Sequence, residues 1–364
     1  MDNITHTLCG LALARATFPR GGRLVTATVV VSANLPDLDI VTGLWGRPEF
    51  LLQHRGFTHS LLGSGIQAFL VALVMLAVGR WLARRREGGT SPGYSVLLGA
   101  AALGLTSHFL LDYTNVYGVR PWLPFNSSWV YGDMAFIVDP WIWLMLSFAA
   151  ALAAPPSRWG IYGWWILAAF GAWALVFSPR VSWTVALLWI LGMLPILWIR
   201  SRGHSSAKAR LLASGGLLST LVYLLILLAL SLSAKERGVE ILTEHVGKAQ
   251  LFQATSNHPG LAVPWTSQVF AVTEEKIYRL ELNLLSGPDR PVEEISRNLS
   301  EPALAKIKGT AEYRAWQSFA RYPFVGRYQD EIILSDARYD WSPIPSWCSL
   351  SLAYPEGTLP GKTD

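Results

Sequence analysis

Long apolar segments constrain this chain more than any other feature. Several windows before residue 234 reach the roughly 20 apolar residues that a helix needs to cross a bilayer, and one is "LLGSGIQAFLVALVMLAVGRWLA" at residues 61–83. From the hydrophobic pattern we identify about eight such segments. They lie near residues 5–18, 24–44, 59–82, 94–113, 136–154, 160–177, 182–199 and 211–233. The sequence therefore predicts a mainly α fold, a polytopic membrane helix bundle.

The composition also indicates a membrane protein, and it argues against nucleic acid as a binding partner. Of the 364 residues, 51% are hydrophobic and 15% are charged, whereas a soluble domain carries about 25% charged residues. The net charge of +5 is small, and the basic residues cluster between apolar segments. That distribution fits membrane topology better than a nucleic-acid-binding face. We therefore expect membrane lipids, and no nucleic acid, as partners.

Basic residues predict which side of the membrane each loop faces. They occur in four loops that fall on one side if every segment crosses, and the positive-inside rule makes that side cytoplasmic. These residues are Arg15, Arg20, Arg23, Arg84, Arg85, Arg86, Arg158, Arg200, Arg202, Lys208 and Arg210. Arg180 lies on the other side. Both termini and the tail are then predicted to be extracytoplasmic, in a multi-pass protein of the cytoplasmic (inner) membrane.

The composition changes after residue 233. Alternating runs in residues 234–364, such as "SQVFAVT" and "KIYRLELNLL", are typical of strands. The stretch "EPALAKIKGTAEYRAWQSFARY" favours one or two helices. We predict a membrane domain over residues 1–233 that carries the metal site, and a small extracytoplasmic α+β domain over residues 234–364 that supplies no ligand. The histidines of this second domain, His245 and His258, are expected at its surface.

Polar residues at the ends of the first five segments are the candidates for function. With the topology above, they share one side and one depth, although that topology was set from basic residues alone. They are His6, Asp37, Asp39, His54, His59, His108, Asp112, Asp133 and Asp139. Ionisable groups inside spanning segments are costly and are functional candidates by default. In "NLPDLD", Pro36 interrupts the second segment, which predicts a polar pocket because non-helical backbone at membrane depth needs protein or water around it.

The residue types and their spacing favour a metal site. His108 and Asp112 are one turn apart on one helix face, as two ligands of one ion require. Imidazole combined with carboxylate suits zinc, manganese or iron, whereas calcium and magnesium favour oxygen ligands alone.

Each of these features also has a simpler interpretation. His108 and Asp112 would form a structural hydrogen bond, Thr58 and Ser60 would cap a helix, and Arg55 would be a surface charge. Four histidines and several aspartates at one depth favour a metal site over these separate explanations.

Five stretches of the sequence resemble a known family. They are "DNITHTLCG", "NLPDLD", "HRGFTHSLLG", "SHFLLDYTNVYGVRPWLPF" and "IVDPWIW". Over about residues 1–145 they resemble the YdjM-like family of bacterial and archaeal inner-membrane proteins, which is described as membrane-bound metal-dependent hydrolases. The resemblance implies a metal and a hydrolytic activity. Its motif residues in this chain are His6, Asp37, Asp39, His54, His59, His108, Asp112 and Asp139.

Residues and resemblance together predict an integral membrane metal-dependent hydrolase whose site faces the outer side of the membrane. Its cofactor would be one or two divalent ions, zinc or manganese. The expected ligands are His6, Asp37, Asp39, His59, His108, Asp112 and Asp139. For catalysis we expect His54 as general acid or base, Arg55 as a clamp for an anionic group, and Asp39 beside them. The substrate would be a lipid or a lipid-linked ester or phosphoester.

Two alternatives stay open. One is a metal or proton transporter, since intramembrane carboxylates and histidines also mark ion pathways; the near absence of polar groups in the sixth to eighth segments weighs against it. The other is a membrane scaffold in which the metal is structural.

Overall fold

The computed structural model describes residues 1–85, 89–153, 158–178, 181–202, 208–246, 251–255 and 263–354. These residues form two units. The helical unit comprises residues 1–38, 57–230 and 263–264, and the mixed unit comprises residues 39–56, 231–246, 251–255 and 265–354. The mixed unit thus contains residues 39–56 in addition to the tail. Arg86, Arg180 and His258, on which predictions were made, lie outside the described residues.

Every apolar segment identified in the sequence folds as a helix. The helices are α1 (Asn3–Thr17), α2 (Gly22–Asn34), α3 (Arg47–Gln53), α4 (Leu61–Arg84), α5 (Tyr94–Tyr113), α6 (Pro140–Ala153), α7 (Arg158–Val176), α8 (Trp183–Ser201), α9 (Ala209–Val246), α10 (Pro302–Ile307) and α11 (Ala311–Phe319). Two 3₁₀ segments, Pro36–Trp45 and Phe57–His59, precede α3 and α4. The first of them begins at the proline that was predicted to interrupt the second apolar segment.

Fewer of the described helices are long and apolar enough to span a membrane than there are apolar segments in the sequence. Among the described residues, α4, α5, α7, α8 and α9 are long and apolar enough, and α2 with the segment Pro36–Trp45 makes a sixth span if that bent pair is counted as one. Helix α1 has 15 residues and α6 has 14, which is short of the roughly 20 that a span requires. The prediction of a polytopic helical fold is confirmed, with five candidate spans among the described residues, or six if the bent pair counts as one.

Small residues allow the helices that carry candidate ligands to approach closely. A Cβ atom on Gly104 of α5 would collide with the Val29 carbonyl of α2, and one on Gly10 of α1 would lie 3.3 Å from the Cβ of Ala33 on α2. Small residues are enriched where helix backbones meet in membranes, because packing rather than water exclusion holds such helices together. Helix α2 therefore packs against both α1 and α5.

The mixed unit contains two antiparallel sheets. Its strands are β1 (Leu251–Thr255), β2 (Thr266–Val272), β3 (Lys276–Asn283), β4 (Gly287–Pro288), β5 (Glu293–Ser296), β6 (Pro323–Tyr328), β7 (Glu331–Asp336) and β8 (Leu350–Ala353). One sheet has the order β1-β2-β3-β4, with β5 also pairing with β3, and the other has the order β6-β7-β8. Helix α3 packs against α11 within this unit. The predicted α+β fold of the tail is therefore confirmed.

The core of the mixed unit follows from the alternation of its strands. Val269 of β2 pairs with Leu280 of β3, and both are buried with Ala234 and Leu242 from the C-terminal part of α9. Alternate residues of a strand point to opposite faces, so these apolar positions line one face of the sheet.

Candidate metal centre

Four of the predicted ligands converge in the helical unit. One ligand atom from each of Asp37, His59, His108 and Asp112 can be chosen so that all four lie within 4.8 Å of one another. His59 Nε2 lies 3.3 Å from Asp37 Oδ1 and 3.3 Å from Asp112 Oδ2. His108 Nε2 lies 3.8 Å from Asp37 Oδ1 and 3.5 Å from Asp112 Oδ2. Atoms this close can share one ion after small adjustments of the side chains.

The local structure explains how residues distant in sequence meet here. Asp37 lies just after α2, where Pro36 replaces regular helix with a 3₁₀ segment. His59 ends the short 3₁₀ turn before α4. His108 and Asp112 lie one turn apart on α5, so both project from the same face. The packing of α2 and α4 against α5 brings these three sources together.

His6 on α1 is a fifth member of the cluster. Its Nε2 lies 3.3 Å from Asp112 Oδ1 and 3.9 Å from Asp37 Oδ2. Its ring stacks on the ring of His108, with the centroids 4.0 Å apart. The amino group of Met1 also contacts Asp112 Oδ1. We refer to His6, Asp37, His59, His108 and Asp112 together as the His–Asp centre.

The backbone fixes the tautomer of one imidazole. His108 Nδ1 lies 2.8 Å from the carbonyl oxygen of Ala33. A carbonyl oxygen only accepts hydrogen bonds, so Nδ1 carries the hydrogen and the neutral ring keeps its lone pair on Nε2. Nε2 is the atom that faces the two carboxylates. Metal-binding histidines are commonly oriented in this way by a carbonyl or carboxylate on the other nitrogen.

Burial of these polar groups costs folding free energy unless a ligand satisfies them. His6 and Asp112 are fully buried and His108 is 1% exposed. Within the part of the chain that the structure describes, His6 Nε2, His108 Nε2 and Asp37 Oδ2 have no hydrogen-bond partner. Buried polar atoms in native proteins are nearly always satisfied, so atoms left unsatisfied beside two carboxylates point to a missing positive ligand.

The donor set fits a divalent transition metal. Three imidazole nitrogens and two carboxylates match the preferences of zinc and manganese, and an all-oxygen site for calcium or magnesium would not include imidazole. The negative charge of the carboxylates of Asp37 and Asp112 would be balanced by such an ion. The residues present therefore fit the metal that the sequence predicts.

Asp139 is not brought into this group. Its Oδ1 accepts hydrogen bonds from the backbone N–H groups of Trp141 and Ile142 at 2.9 and 3.2 Å, which caps the first turn of α6. Its Oδ2 accepts a hydrogen bond from the Tyr223 hydroxyl at 3.0 Å. The structure thus gives Asp139 a capping position, and its predicted role as a ligand stays a prediction.

The three predicted catalytic residues lie in the mixed unit. His54 Nδ1 lies 2.7 Å from Asp39 Oδ1, and the backbone N–H of Arg55 donates to Asp39 Oδ2 at 2.9 Å. Arg55 has a left-handed backbone with φ of 54° and is 3% exposed. The imidazole also stacks on Phe50. Asp39 therefore orients His54, as a carboxylate does in many acid–base pairs. The simpler interpretation of Arg55 as a surface charge is wrong, because its side chain is buried.

Some contributors to the centre were missed or underestimated from the sequence. Ala33 supplies its carbonyl to His108, and a backbone acceptor has no sequence signal. Thr58, expected only as a cap, places its hydroxyl 3.0 Å from His59 Nδ1. Ser60 is a cap as predicted, because its Oγ accepts from the Gly63 N–H.

The fold and the centre define a multi-pass membrane protein with a buried imidazole–carboxylate cluster in its helical unit. A family described as the YdjM inner membrane protein matches residues 1–184, half of the 364 residues. The chain belongs to this family, and the matched residues contain the whole His–Asp centre.

Other similarities are more distant. The chain is 29% identical over 161 residues to the "Uncharacterized protein YfhP" of Bacillus subtilis (strain 168), a match that covers 42% of this chain and 46% of that protein. The chain thus spans about half the length of this curated relative. No solved structure matches the chain.

Proposed function

We propose that this protein is a membrane hydrolase that depends on a divalent metal and acts on a lipid or a lipid-linked ester or phosphoester. The observation that supports this most is the His–Asp centre itself, in which buried imidazole nitrogens and carboxylates converge with atoms left unsatisfied. Zinc or manganese, as one or two ions, is the cofactor we propose. His6, Asp37, His59, His108 and Asp112 would hold it. When bound, such an ion lowers the pKa of a coordinated water and polarises the scissile phosphoryl or acyl group.

Asp37 is the residue we propose for proton transfer within the centre. Its side chain is 10% exposed, whereas those of His59 and Asp112 are fully buried. Asp37 Oδ2 is also unsatisfied among the described residues. In hydrolysis the water oxygen bonds to the phosphorus or acyl carbon, the ester bond breaks, one proton passes to Asp37 Oδ2, and the leaving alcohol takes a proton from the medium. The acid–base role predicted for His54 and the clamping role predicted for Arg55 stay predictions.

We infer the substrate class, and the side of the membrane that the centre faces, from where the site residues lie in the sequence. The cluster residues lie at the ends of apolar helices, where an amphiphile would present its head group. The positive-inside rule supports an extracytoplasmic tail if the short helices α1 and α6 cross the membrane together with the longer helices. A periplasmic reporter enzyme should be active when fused after residue 240 and inactive when fused near Arg202. The opposite pattern would place the centre at the cytoplasmic leaflet.

Turnover by the purified protein tests the hydrolase proposal. We expect cleavage of a fluorogenic lipid phosphodiester, or of the matching carboxylester, by metal-loaded protein in nanodiscs. Chelation should abolish it, and zinc or manganese should restore it. His108→Ala should be inactive, while His245→Ala is the matched control because His245 is exposed and its ring makes an edge-on contact with Tyr278. Absence of turnover with metal fully bound would reject the proposal for these substrates.

One observation favours the structural-metal alternative. His6, His59 and Asp112 are fully buried, and structural metal sites are closed whereas catalytic ones keep an open position. In that case metal removal would lower the thermal stability without any catalytic activity to lose. Measuring turnover and melting on one metal-depleted sample separates the two functions.

A further inference from the structure

A second polar site lies in the helical unit, outside the His–Asp centre. A cavity of about 640 Å³ is lined by the loop before α2, the start of α2, the last turns of α4 and the loop before α5. This volume falls within the usual range of ligand sites, roughly 300–1,000 Å³. Neither the proposed hydrolysis nor the ligand set uses any of its residues.

The polar lining is basic and hydroxylic. Arg20 and Arg23 line the cavity together with Thr90 and Ser91, and no acidic residue is among the lining residues. Neither arginine has a hydrogen bond or an ion pair within the part of the chain that the structure describes. A guanidinium group presents paired N–H donors that match phosphate oxygens. Two such groups and the Thr90 hydroxyl beside one cavity form a set of donors suited to a phosphate group, whereas the Ser91 hydroxyl already donates to the Pro92 carbonyl at 3.2 Å.

The start of α2 adds donors to the same cavity. Gly21 occupies the N-cap position, and no side chain accepts a hydrogen bond there. The first backbone N–H groups of a helix have no partner inside the helix, and the helix dipole favours an anion at this end. The Gly21 N–H donates to the Phe18 carbonyl, but Gly22, Arg23 and Leu24, the first three residues of the helix, all line the cavity.

The remaining lining is apolar and belongs to membrane helices. Leu24 of α2, Leu82 of α4 and Val96 of α5 line the cavity, and α4 and α5 are long and apolar enough to span. Exposed Trp81 lies beside Leu82, and tryptophan is enriched at membrane interfaces. A ligand with a phosphate head and acyl chains would meet both kinds of surface. Basic pockets between helices on the cytoplasmic side are known to favour anionic lipid head groups.

We propose that this cavity binds the phosphate group of an anionic ligand, and that the ligand is a lipid of the leaflet at the arginine-rich ends of the helices. The site is independent of the His–Asp centre and of the proposed hydrolysis. Occupancy would tie the loop before α2 to the ends of α4 and α5. Since α2 also packs against α5 at the level of Gly104, the lipid would stabilise the helix pair that carries His108.

Lipid titration of the delipidated full-length protein tests this proposal. Native mass spectrometry in detergent would compare dioleoyl-phosphatidylglycerol with zwitterionic dioleoyl-phosphatidylcholine and with inorganic phosphate. We expect preferential binding of phosphatidylglycerol, weakened roughly fivefold by Arg20→Gln or Arg23→Gln and roughly 30-fold by both together, as expected for basic residues near an anionic lipid surface. Arg84→Gln is the matched control, because Arg84 lies at the end of α4 but does not line the cavity.

The outcomes separate the sources of the phosphate group. Equal losses in Arg84→Gln and in the double variant would overturn the proposal, since general charge would then explain binding. Equal affinity for the two lipids would overturn it as well. Inorganic phosphate that displaces the lipid at a similar concentration would keep the anion site and reject the lipid as its ligand. The single variants change only exposed side chains, and circular dichroism would confirm that each remains folded.

Discussion

Each unit of the molecule buries a carboxylate-rich cluster, and the two clusters differ in how they are satisfied. In the mixed unit, Asp336 accepts from the Arg338 guanidinium at 2.7 and 2.8 Å and from the Arg321 N–H at 2.8 Å. Nearby, Asp340 Oδ2 accepts from the Ser346 hydroxyl at 2.6 Å and from the Cys348 thiol at 3.1 Å. In the His–Asp centre, by contrast, atoms of His6, His108 and Asp37 have no hydrogen-bond partner among the described residues.

This difference in hydrogen bonding indicates that the cluster around Asp336 and Asp340 is structural and that the His–Asp centre binds a ligand. A buried ion pair with its hydrogen bonds completed needs nothing else, and breaking it costs stability. A buried group of imidazoles and carboxylates with unsatisfied atoms is stable only when a ligand completes it. Mutations in the cluster around Asp336 and Asp340 should therefore lower the stability of the fold, whereas mutations in the His–Asp centre should lower metal binding.

The largest expected effect is on metal binding at the His–Asp centre. His108→Ala and Asp112→Ala should each lower metal affinity by more than the roughly 10- to 100-fold that loss of an outer-shell partner causes. The double variant should cost little more than either single change, because residues that act as a unit are not additive. Metal stoichiometry of the purified protein, measured by mass spectrometry of the eluted ions, is the readout.

Thermal melting of the same samples provides the control for this comparison. If His108 and Asp112 only form a structural hydrogen bond, the variants should melt earlier and yet hold the same amount of metal per folded molecule. Full metal occupancy in both alanine variants would remove these two residues from the centre.

The next largest effect is on the stability of the mixed unit. Asp336→Asn should cost roughly 3–5 kcal/mol, because it leaves the buried Arg338 charge without its counter-charge. Arg338 is 2% exposed, so water cannot replace the carboxylate. Chemical unfolding of the variant and the wild type would measure the loss. Metal content per folded molecule should not change, and a fall in metal content would contradict the separation between the two clusters.

The sequence predicted much of both units, for identifiable reasons. Apolar segments of about 20 residues and alternating runs are strong local signals, so the membrane helices and strands β2 and β3 were found. The pair His108 and Asp112 was found because helical spacing places both on one face. Helix α3 was missed because its seven residues lie between candidate motifs and show no clear periodicity. The assignment of residues 39–56 to the mixed unit depends on long-range contacts, such as that between Arg47 and the Ser349 carbonyl, which no local pattern encodes.

A third and smaller effect concerns the pH dependence of stability at the cluster around Asp336 and Asp340 in the mixed unit. Burial, and then the nearby charge of Asp340, raises the pKa of the Cys348 thiol. The folded state therefore holds this proton more tightly than the unfolded state, in which the thiol pKa is about 8.5. Its contribution to stability is complete below that pH and is lost as the pH rises further, by at most about 1.4 kcal/mol per pH unit.

Comparison of pH profiles would test this effect. Between about pH 8.5 and 10, the wild type should lose more stability than Cys348→Ala, which has no thiol to ionise. The lysines and tyrosines are the same in both proteins, so their titration cancels in the comparison. Added zinc should not change the difference between the two profiles. Parallel profiles would contradict this prediction, because Cys348 would then contribute equally to proton binding in the folded and unfolded states over this pH range.

The smallest expected effect is at the helix cap beside the His–Asp centre. Ser60 Oγ accepts from the Gly63 N–H at 2.9 Å and donates to the Phe57 carbonyl at 2.8 Å, so it closes the turn that carries His59. Ser60→Ala should cost about 1 kcal/mol of stability, as loss of an N-cap does. Ser60→Thr, which keeps the hydroxyl, should recover most of it. Because Ser60 supplies no ligand, metal stoichiometry should stay at the wild-type value while the melting temperature falls. A loss of metal as severe as that of His108→Ala would instead mean that the position of His59 depends on this cap.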